Sequence, residues 1–209
     1  MVTYFRKEVK DANSWKWIQE NEHVLQTFDQ FPIVLKNGEF AVITVGHDSK
    51  GKTYFCFEDC LGSCDCDMNG NNTNEDGWSA TVMRKFLNTY VLALLPNEIL
   101  NVIKPTKIVQ IINGKRITTR DRLFLFSKTQ VSGKGIWTEQ FEPEDEPIDI
   151  FGTEKNRVKE SGKRGTWWYF LRTPCVNSVK RFYSIDANGN SDRSQANRRS
   201  AIAFGFCIT

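Results

Sequence analysis

Residues 33–48 read IVLKNGEFAVITVGHD, and this stretch predicts that the folded part of the chain begins with a β-hairpin. Asn37-Gly38 lies between two runs that are rich in β-branched and aromatic residues. This dipeptide favours the tight turn of a two-residue hairpin loop. Residues 52–57, KTYFCF, add a third strand-like run. The sequence from residue 33 therefore predicts consecutive strands.

Helical spacing follows a long polar loop. Residues 58–76 are rich in Asp, Asn and Gly, and residues 79–94 then repeat apolar side chains with the period of a helix. Ser79 is the expected N-cap of this helix. Pro96 ends it and is compatible with the first turn of a second, shorter helix.

The rest of the chain returns to β structure. Strand-like runs occupy residues 107–113, 121–127, 166–173, 181–185 and 201–208. A polar stretch at 190–200 separates the last two runs and is expected to be a loop. Strands at both ends with helices between them predict an α+β fold. We expect one domain at 33–209, preceded by a helical docking segment at 1–32.

Length and composition exclude several classes of protein. The chain has 209 residues, of which 40% are hydrophobic and 25% charged, so neither disorder nor a fibrous repeat is indicated. Its apolar runs are too short to span a bilayer. The N-terminus lacks the pattern of a secretion signal. These features predict a soluble globular protein with no membrane span.

The charge is divided unevenly along the chain. Residues 1–150 carry 17 Lys and Arg against 21 Asp and Glu, a net charge of −4. Residues 151–209 carry 11 against 4, a net charge of +7. A local basic excess indicates a surface that meets a polar or anionic partner, although a solvated face would look the same.

The cysteines do not resemble a disulfide framework, because four are crowded at one place: Cys56, Cys60, Cys64 and Cys66. A reducing compartment is therefore favoured. The spacing of these four also lacks the paired arrangement of zinc sites. The two distant thiols, Cys175 and Cys207, are expected to be small buried hydrophobes.

A partial calcium motif lies in the polar loop. Asp65, Asp67, Asn69 and Gly70 match the first half of a calcium-binding loop, which needs oxygen ligands at alternate positions and a glycine at the sixth. The match then fails, because Asp76 stands where a bidentate Glu is required. We therefore expect no metal site and no cofactor.

Catalytic motifs are missing from the sequence. Only two histidines are present, His23 and His47, and there is no nucleophile elbow, phosphate loop or dinucleotide fingerprint. The chain is therefore expected not to be an enzyme. The strand Trp167–Arg172 is dense in aromatic residues, and alternation predicts that one face of it is buried. Arg172, at the end of so apolar a strand, is expected to have a fixed hydrogen-bonding partner.

Several segments together resemble a bacterial and phage domain family of unknown function that has a C-type-lectin-like fold. The matching residues are Asp67-Met68-Asn69, Asn72-Thr73-Asn74, Gly77-Trp78, Met83-Arg84-Lys85, Leu87-Asn88, Leu95-Pro96, residues 121–127, Trp167-Trp168, residues 171–174 and residues 205–208. They occur in the right order over about residues 33–209. The resemblance implies paired N- and C-terminal strands, flanking helices, long irregular loops and a function in binding.

The chain is also similar to the variable proteins of diversity-generating retroelements, whose substituted positions lie between the Trp-rich strand and the final strand. Here that stretch is residues 175–202, and polar groups interleaved with Tyr and Arg suit a recognition surface. The resemblance implies a contact set of Asn177, Lys180, Arg181, Tyr183, Asp192, Arg193, Gln195, Asn197, Arg198 and Arg199. A phage tail or receptor-binding protein would use the same face.

Alternatives remain open at the level of sequence. Formylglycine-generating oxidases share this fold and would require Cys175 and Cys207 to lie close together and reach solvent. A structural module of a phage particle would use residues 1–32 for docking. The expected partner is a protein or another surface ligand, with carbohydrate left open because the Glu-Pro-Asn sugar motif is absent. Nucleic acid is not expected, since Asp186 and Asp192 interrupt the basic residues.

Overall fold

The computed structural model describes residues 14–135 and 141–208. The α-helices are Trp15–Glu20 (α1), Val82–Phe86 (α2), Leu92–Leu94 (α3), Asn97–Val102 (α4), Lys128–Ser132 (α5) and Glu154–Arg157 (α6), with a π-helical turn at Leu87–Val91 joining α2 to α3 and 3-10 turns at Glu22–Val24, Trp78–Ala80, Asp149–Phe151 and Gly162–Arg164. The strands are Gln30–Val34 (β1), Phe40–His47 (β2), Thr53–Phe57 (β3), Asp65–Cys66 (β4), Thr106–Ile112 (β5), Lys115–Asp121 (β6), Lys159–Glu160 (β7), Thr166–Trp167 (β8), Tyr169–Pro174 (β9), Arg181–Ile185 (β10), Ser191–Gln195 (β11), Ser200–Ala201 (β12) and Gly205–Phe206 (β13). The fold is therefore α+β, as the sequence predicts.

The first sheet joins the two ends of the described chain. Its order is β1-β2-β3-β13, and every neighbouring pair is antiparallel. The β1–β2 hairpin turns at Asn37-Gly38 as predicted, and Gly38 has a φ of +85°. Phe206 of β13 stacks on Phe55 of β3, with ring centroids 5.4 Å apart. The last strand thus closes the sheet that the first strands begin.

The second sheet carries the C-terminal part of the chain. Its order is β11-β10-β9-β12-β4, with β11 at one edge and β4 at the other. β9 is buried along its whole length, so both of its faces are covered. The β5–β6 and β7–β8 hairpins form separate two-stranded sheets.

The N-terminal segment belongs to the core where it is described. Trp15 and Ile18 of α1 are buried, and the Trp15 ring lies 5.7 Å from that of Phe55. β1 spans Gln30–Val34, so the domain boundary that we placed between residues 32 and 33 falls inside a strand. Residues 1–13 of the expected docking segment lie outside the described residues.

Two local predictions were wrong for identifiable reasons. The N-cap of α2 is Thr81, whose hydroxyl accepts from the Arg84 N–H, while Ser79 lies in the preceding 3-10 turn. Residues 122–126 form no strand, although Phe124 makes one bridge to Gly205. The Asn88 side chain, not a neighbouring strand, takes the main-chain groups of Leu123. The partner of β5 is instead the polar strand β6.

No helix in the described part of the chain combines the length and the apolar character needed to cross a membrane.

Candidate ligand-binding face

The polar stretch 190–200 forms a strand before it forms a turn. β11 pairs antiparallel with β10 across the Asn188-Gly189 turn, so the expectation of a loop is wrong for the first half of this stretch. Only Ser194 of β11 is buried, opposite Phe182, and the other four residues of the strand are exposed. One small inward side chain gives no alternating apolar pattern by which the strand could be recognised.

Four of the predicted contact residues share one face of this hairpin. Arg181 lies opposite Gln195, and Tyr183 lies opposite Arg193. Residues that are directly opposed or two apart in a strand point to the same face, so these four side chains are neighbours. Asp192 is exposed but belongs to the other face, where it lies opposite Ser184.

The other predicted residues lie in two adjacent turns at the end of the hairpin, and they are Asn177, Lys180, Asn197, Arg198 and Arg199. The turns are joined by a hydrogen bond of 2.8 Å from the Ala196 N–H to the Lys180 carbonyl. Of the ten predicted residues, nine are exposed and Tyr183 is half-buried. We call these ten side chains the recognition face, which includes Asp192 on the other side of β11, and their role in binding stays a prediction.

An open depression of about 330 Å³ lies within the recognition face, lined by Arg181, Arg193, Ser194, Gln195 and Arg198. None of its three arginines forms an ion pair with a described residue. The Arg198 guanidinium lies 5.4 Å from the centre of the Trp168 ring, which supports it from one side. Three uncompensated guanidinium groups make this depression electropositive.

Two members of the recognition face have structural contacts. Arg199 donates to the Asp65 carbonyl over 2.7 Å, and so ties the second turn to β4. The Tyr183 ring lies 5.3 Å from the Lys128 ammonium. Burial lowers the pKa of Lys128, with Arg157 adding to the effect, and burial raises the pKa of Tyr183. A substitution at either Arg199 or Tyr183 would therefore also remove a contact within the fold.

Asn74 fixes the first turn of the recognition face. Its side-chain amide donates to the carbonyls of Ser178 (2.7 Å), Cys175 (3.4 Å) and Arg181, and its own N–H donates to Val179 (2.8 Å). Asn74 is 5% exposed, and loss of its amide would leave the buried Cys175 carbonyl without this donor. One buried residue thus positions the whole of the 175–181 segment.

The segment that imitates a calcium loop has the same scaffolding role. The Asn69 N–H donates to the Ala196 carbonyl (2.8 Å), while its side chain bonds Thr73 and the N–H of Val82 at the start of α2. Within the described residues, no group of three or more His, Cys, Asp or Glu side chains is placed to hold a metal ion. The loop residues serve as anchors for the hairpin.

The tip of the hairpin is also fixed. The Asp186 carboxylate accepts from the N–H groups of Asn188 (2.8 Å) and Asn190 (2.9 Å), and these bonds hold the pKa of Asp186 below its usual range although burial opposes them. Gly189 has a φ of +84°, and a Cβ there would lie 2.7 Å from the carbonyl carbon of Glu154 and closer still to its oxygen. The tip is therefore seated directly against α6.

A buried polar network supports the sheet behind the recognition face. Arg172 is 1% exposed and donates to the Leu125 carbonyl (2.6 Å), the Gln130 side chain (2.8 Å) and Asp145. Its Nε atom lies 3.4 Å from a carboxylate oxygen of Glu142, which is also buried. The predicted fixed partner of Arg172 is thereby confirmed, and the network ties the acidic 141–146 segment to β9.

The Glu142 carboxyl should make stability depend on pH. Burial raises its pKa to about 7 although Arg172 opposes this, so the folded protein holds the proton more tightly than the unfolded chain. The stabilising contribution is complete below about pH 4.5 and is lost as the pH rises through about 7. We expect the free energy of unfolding to fall by on the order of 2 kcal/mol between pH 5 and pH 8. Urea titrations at both pH values would measure this.

Glu142→Gln is the control for that dependence. It keeps a side chain of the same shape without the titrating proton, so the difference in stability between the two pH values should largely disappear. An equal fall in wild type and Glu142→Gln would mean that another group is responsible.

The two distant cysteines do not meet the requirements of the oxidase alternative. Cys175 follows β9 in the second sheet and is 6% exposed, whereas Cys207 follows β13 in the first sheet and is 1% exposed. Burial raises the pKa of Cys175 to about 12 and also raises that of Cys207. The thiolate is the reactive form of cysteine, so both groups are poor nucleophiles. All six cysteines are buried free thiols, as the sequence indicates.

Thiol titration tests this directly. We expect the six thiols of the folded protein to react with a chromogenic disulfide only as fast as the protein unfolds, because none is both exposed and ionised. The same reagent in guanidinium chloride should count all six at once. Rapid reaction of two thiols in the folded protein would support the oxidase hypothesis if the Cys175→Ser and Cys207→Ser variants each abolished the rapid reaction of one thiol.

Comparison with known proteins gives one match. A family model described as a domain of unknown function, DUF6273, matches residues 52–208, from β3 to the end of the described chain. No curated protein and no solved structure matches the sequence. The matched region contains the anchors Asn69 and Asn74, the Arg172 network and the entire recognition face. Since the match covers most of its length, the chain belongs to the DUF6273 family.

Proposed function

We propose that this chain is a non-enzymatic ligand-binding or receptor-binding domain with a C-type-lectin-like fold, and that the recognition face is its binding surface. The observation that carries the proposal is the contrast between anchors and displayed residues. Asn69, Asn74 and Gly189 hold the hairpin through buried or sterically tight contacts. The side chains of the recognition face are exposed apart from the half-buried Tyr183, and the three arginines of the depression have no ion-pair partner among the described residues.

This contrast suits a surface that changes while its scaffold stays the same. A substitution at an exposed position of a well-anchored hairpin typically costs less than about 0.5 kcal/mol, so many variants would fold. We therefore propose, as the resemblance implies, that the face is varied, as in a variable protein of a diversity-generating retroelement or a phage receptor-binding protein. Fold alone does not fix the ligand.

An array of defined glycans and peptides, probed with the full chain, tests the binding surface. The test variant replaces four residues of the depression: Arg181→Ser, Arg193→Ser, Gln195→Ser and Arg198→Ser. The control variant makes four comparable changes on and just after β6: Lys115→Ser, Thr118→Ser, Arg120→Ser and Arg122→Ser. All eight positions are exposed.

We expect both variants to keep the wild-type circular dichroism spectrum and only the first to lose the array signal. A signal that survives in the first variant would contradict the proposed binding surface. So would loss of the signal in the control variant alone.

A further inference from the structure

The outer edge of β11 carries main-chain groups that no described strand uses. β11 is the last strand of its sheet and, among the described strands, pairs only with β10. The Asp186 N–H donates to the Asn190 carbonyl, and the Ala196 N–H donates to the Lys180 carbonyl. These two bonds identify which facing residues of β10 and β11 are hydrogen-bonded to each other. In an antiparallel pair, hydrogen-bonded positions alternate with positions whose main-chain groups face outward. The outward positions of β11 are therefore Ser191, Arg193 and Gln195.

The electropositive depression lies beside this edge. Arg193 presents both an outward main-chain N–H and a side chain that lines the depression, together with Arg181 and Arg198. The carbonyl of Gln195 is already taken by the Arg198 N–H at 3.1 Å, so the free edge ends where the second turn begins. Arg193 thus carries both a main-chain group that can pair with another strand and a guanidinium group that can bind an anion.

Resting on the proposed function, we infer that the ligand is an extended acidic segment of a partner polypeptide, which adds to the sheet as a strand beside β11. Its main chain bonds the outward groups of Ser191 and Arg193, as in other cases of β-strand addition. Its carboxylates enter the depression, where the planar arginine guanidinium suits bidentate binding of a carboxylate.

A polypeptide fits these observations better than other polyanions. A free strand edge offers donors and acceptors alternating at the spacing of a second peptide main chain, which sugars and nucleic acids do not reproduce. Asp192 is exposed on the opposite face of β11, and Asp186 lies at the hairpin tip. Those carboxylates would repel a polyanion that carries negative charge on all sides. They would not repel a peptide whose acidic side chains all lie on the arginine face.

The probe is a fluorescent peptide of alternating Glu and Thr, about eight residues long, which spans the five residues of β11. Fluorescence anisotropy would measure its affinity for the full chain at low salt, where exposed charges act most strongly. We expect Arg193→Gln with Arg198→Gln to weaken binding about tenfold or more. Arg120→Gln with Arg122→Gln, which changes two exposed arginines near β6, should leave the affinity unchanged.

Amide hydrogen exchange provides the second readout. The N–H groups of Ser191 and Arg193 should exchange rapidly in the free protein and slow markedly with bound peptide. The neighbouring N–H groups of Asp192 and Ser194 bond β10 in both states and serve as internal controls. A peptide of alternating Lys and Thr should not bind, and it should not slow the exchange of the Ser191 and Arg193 N–H groups.

Three outcomes would overturn the inference: no binding of the acidic peptide, binding without slowed exchange at Arg193, or tighter binding of a sulfated oligosaccharide or a single-stranded DNA of equal charge. If the acidic peptide fails but the depression variant still abolishes binding of another array ligand, the inference falls and the proposed function stands. If the depression variant leaves every ligand bound, both fall.

Discussion

Replacing Arg172 with methionine is expected to lower the free energy of unfolding by about 3–5 kcal/mol, which is a large part of the stability of a domain this size. The physical reason is the pair of carboxylates that the substitution leaves behind. Glu142 is buried within the network, and Asp145 accepts from the same guanidinium. Removing the guanidinium takes away the counter-charge of both groups: Asp145 is left unpaired, and the ionised fraction of Glu142, whose pKa is about 7, must bind a proton or stay unpaired. Urea unfolding followed by tryptophan fluorescence would measure the loss.

Two further variants separate the network from simple loss of a side chain. Arg120→Met removes an exposed arginine without a described ion pair, and should change stability by less than about 0.5 kcal/mol. The double variant Arg172→Met with Glu142→Gln should recover part of the loss, because one stranded carboxylate is neutralised. Equal stability of wild type and Arg172→Met at pH 7 would contradict the role assigned to the network.

Replacing Gly189 with alanine is the second large effect that we expect, a loss of about 2–4 kcal/mol. The methyl group is incompatible with the carbonyl of Glu154, and the positive φ adds its own cost. Since the clash involves main-chain atoms of α6, side-chain rotation cannot relieve it. The hairpin tip would have to leave α6, so ligand affinity should fall together with stability.

Gly114→Ala is the matched control for this prediction. It lies in the Asn113-Gly114 turn between β5 and β6, with a φ of +73° and no atom within 4 Å of the added methyl group. It should therefore show only the conformational cost, about 1–2 kcal/mol. Equal losses of stability in both variants would mean that contact with α6 does not hold the β10–β11 hairpin in place.

Short-range signals in the sequence predicted much of the fold. The Asn37-Gly38 turn and the strands β1 to β3 follow from local turn chemistry and residue type. The hydrophobic run 121–127 looked equally strand-like, yet its main chain is held by the side chains of Asn88 and Arg172. Partners that lie 35 to 47 residues away in sequence leave no periodic signal, so tertiary contacts override the local pattern.

Only the recognition face of the candidate site could be predicted from the sequence. Composition and the resemblance pointed to the ten residues of the recognition face, because they are mostly polar and lie between strand-like runs. The anchors were not predictable. Asn74 is one of several asparagines in a polar loop, and its carbonyl partners lie 101 to 107 residues further along the chain. Nor does the sequence reveal that the three arginines of the depression have no ion-pair partner in the described part of the chain.

The most direct test of the central claim, that a fixed scaffold displays a variable face, is to sequence the gene and its neighbourhood in several isolates. We predict that amino-acid differences concentrate at the ten positions of the recognition face, while Asn74, Arg172 and Gly189 do not change. A second, imperfect copy of the 166–209 coding stretch, differing at adenines and adjacent to a reverse transcriptase gene, is the expected source of that variation. Codons for the ten positions that are as invariant as those of Asn74, Arg172 and Gly189, with differences scattered elsewhere, would contradict the account.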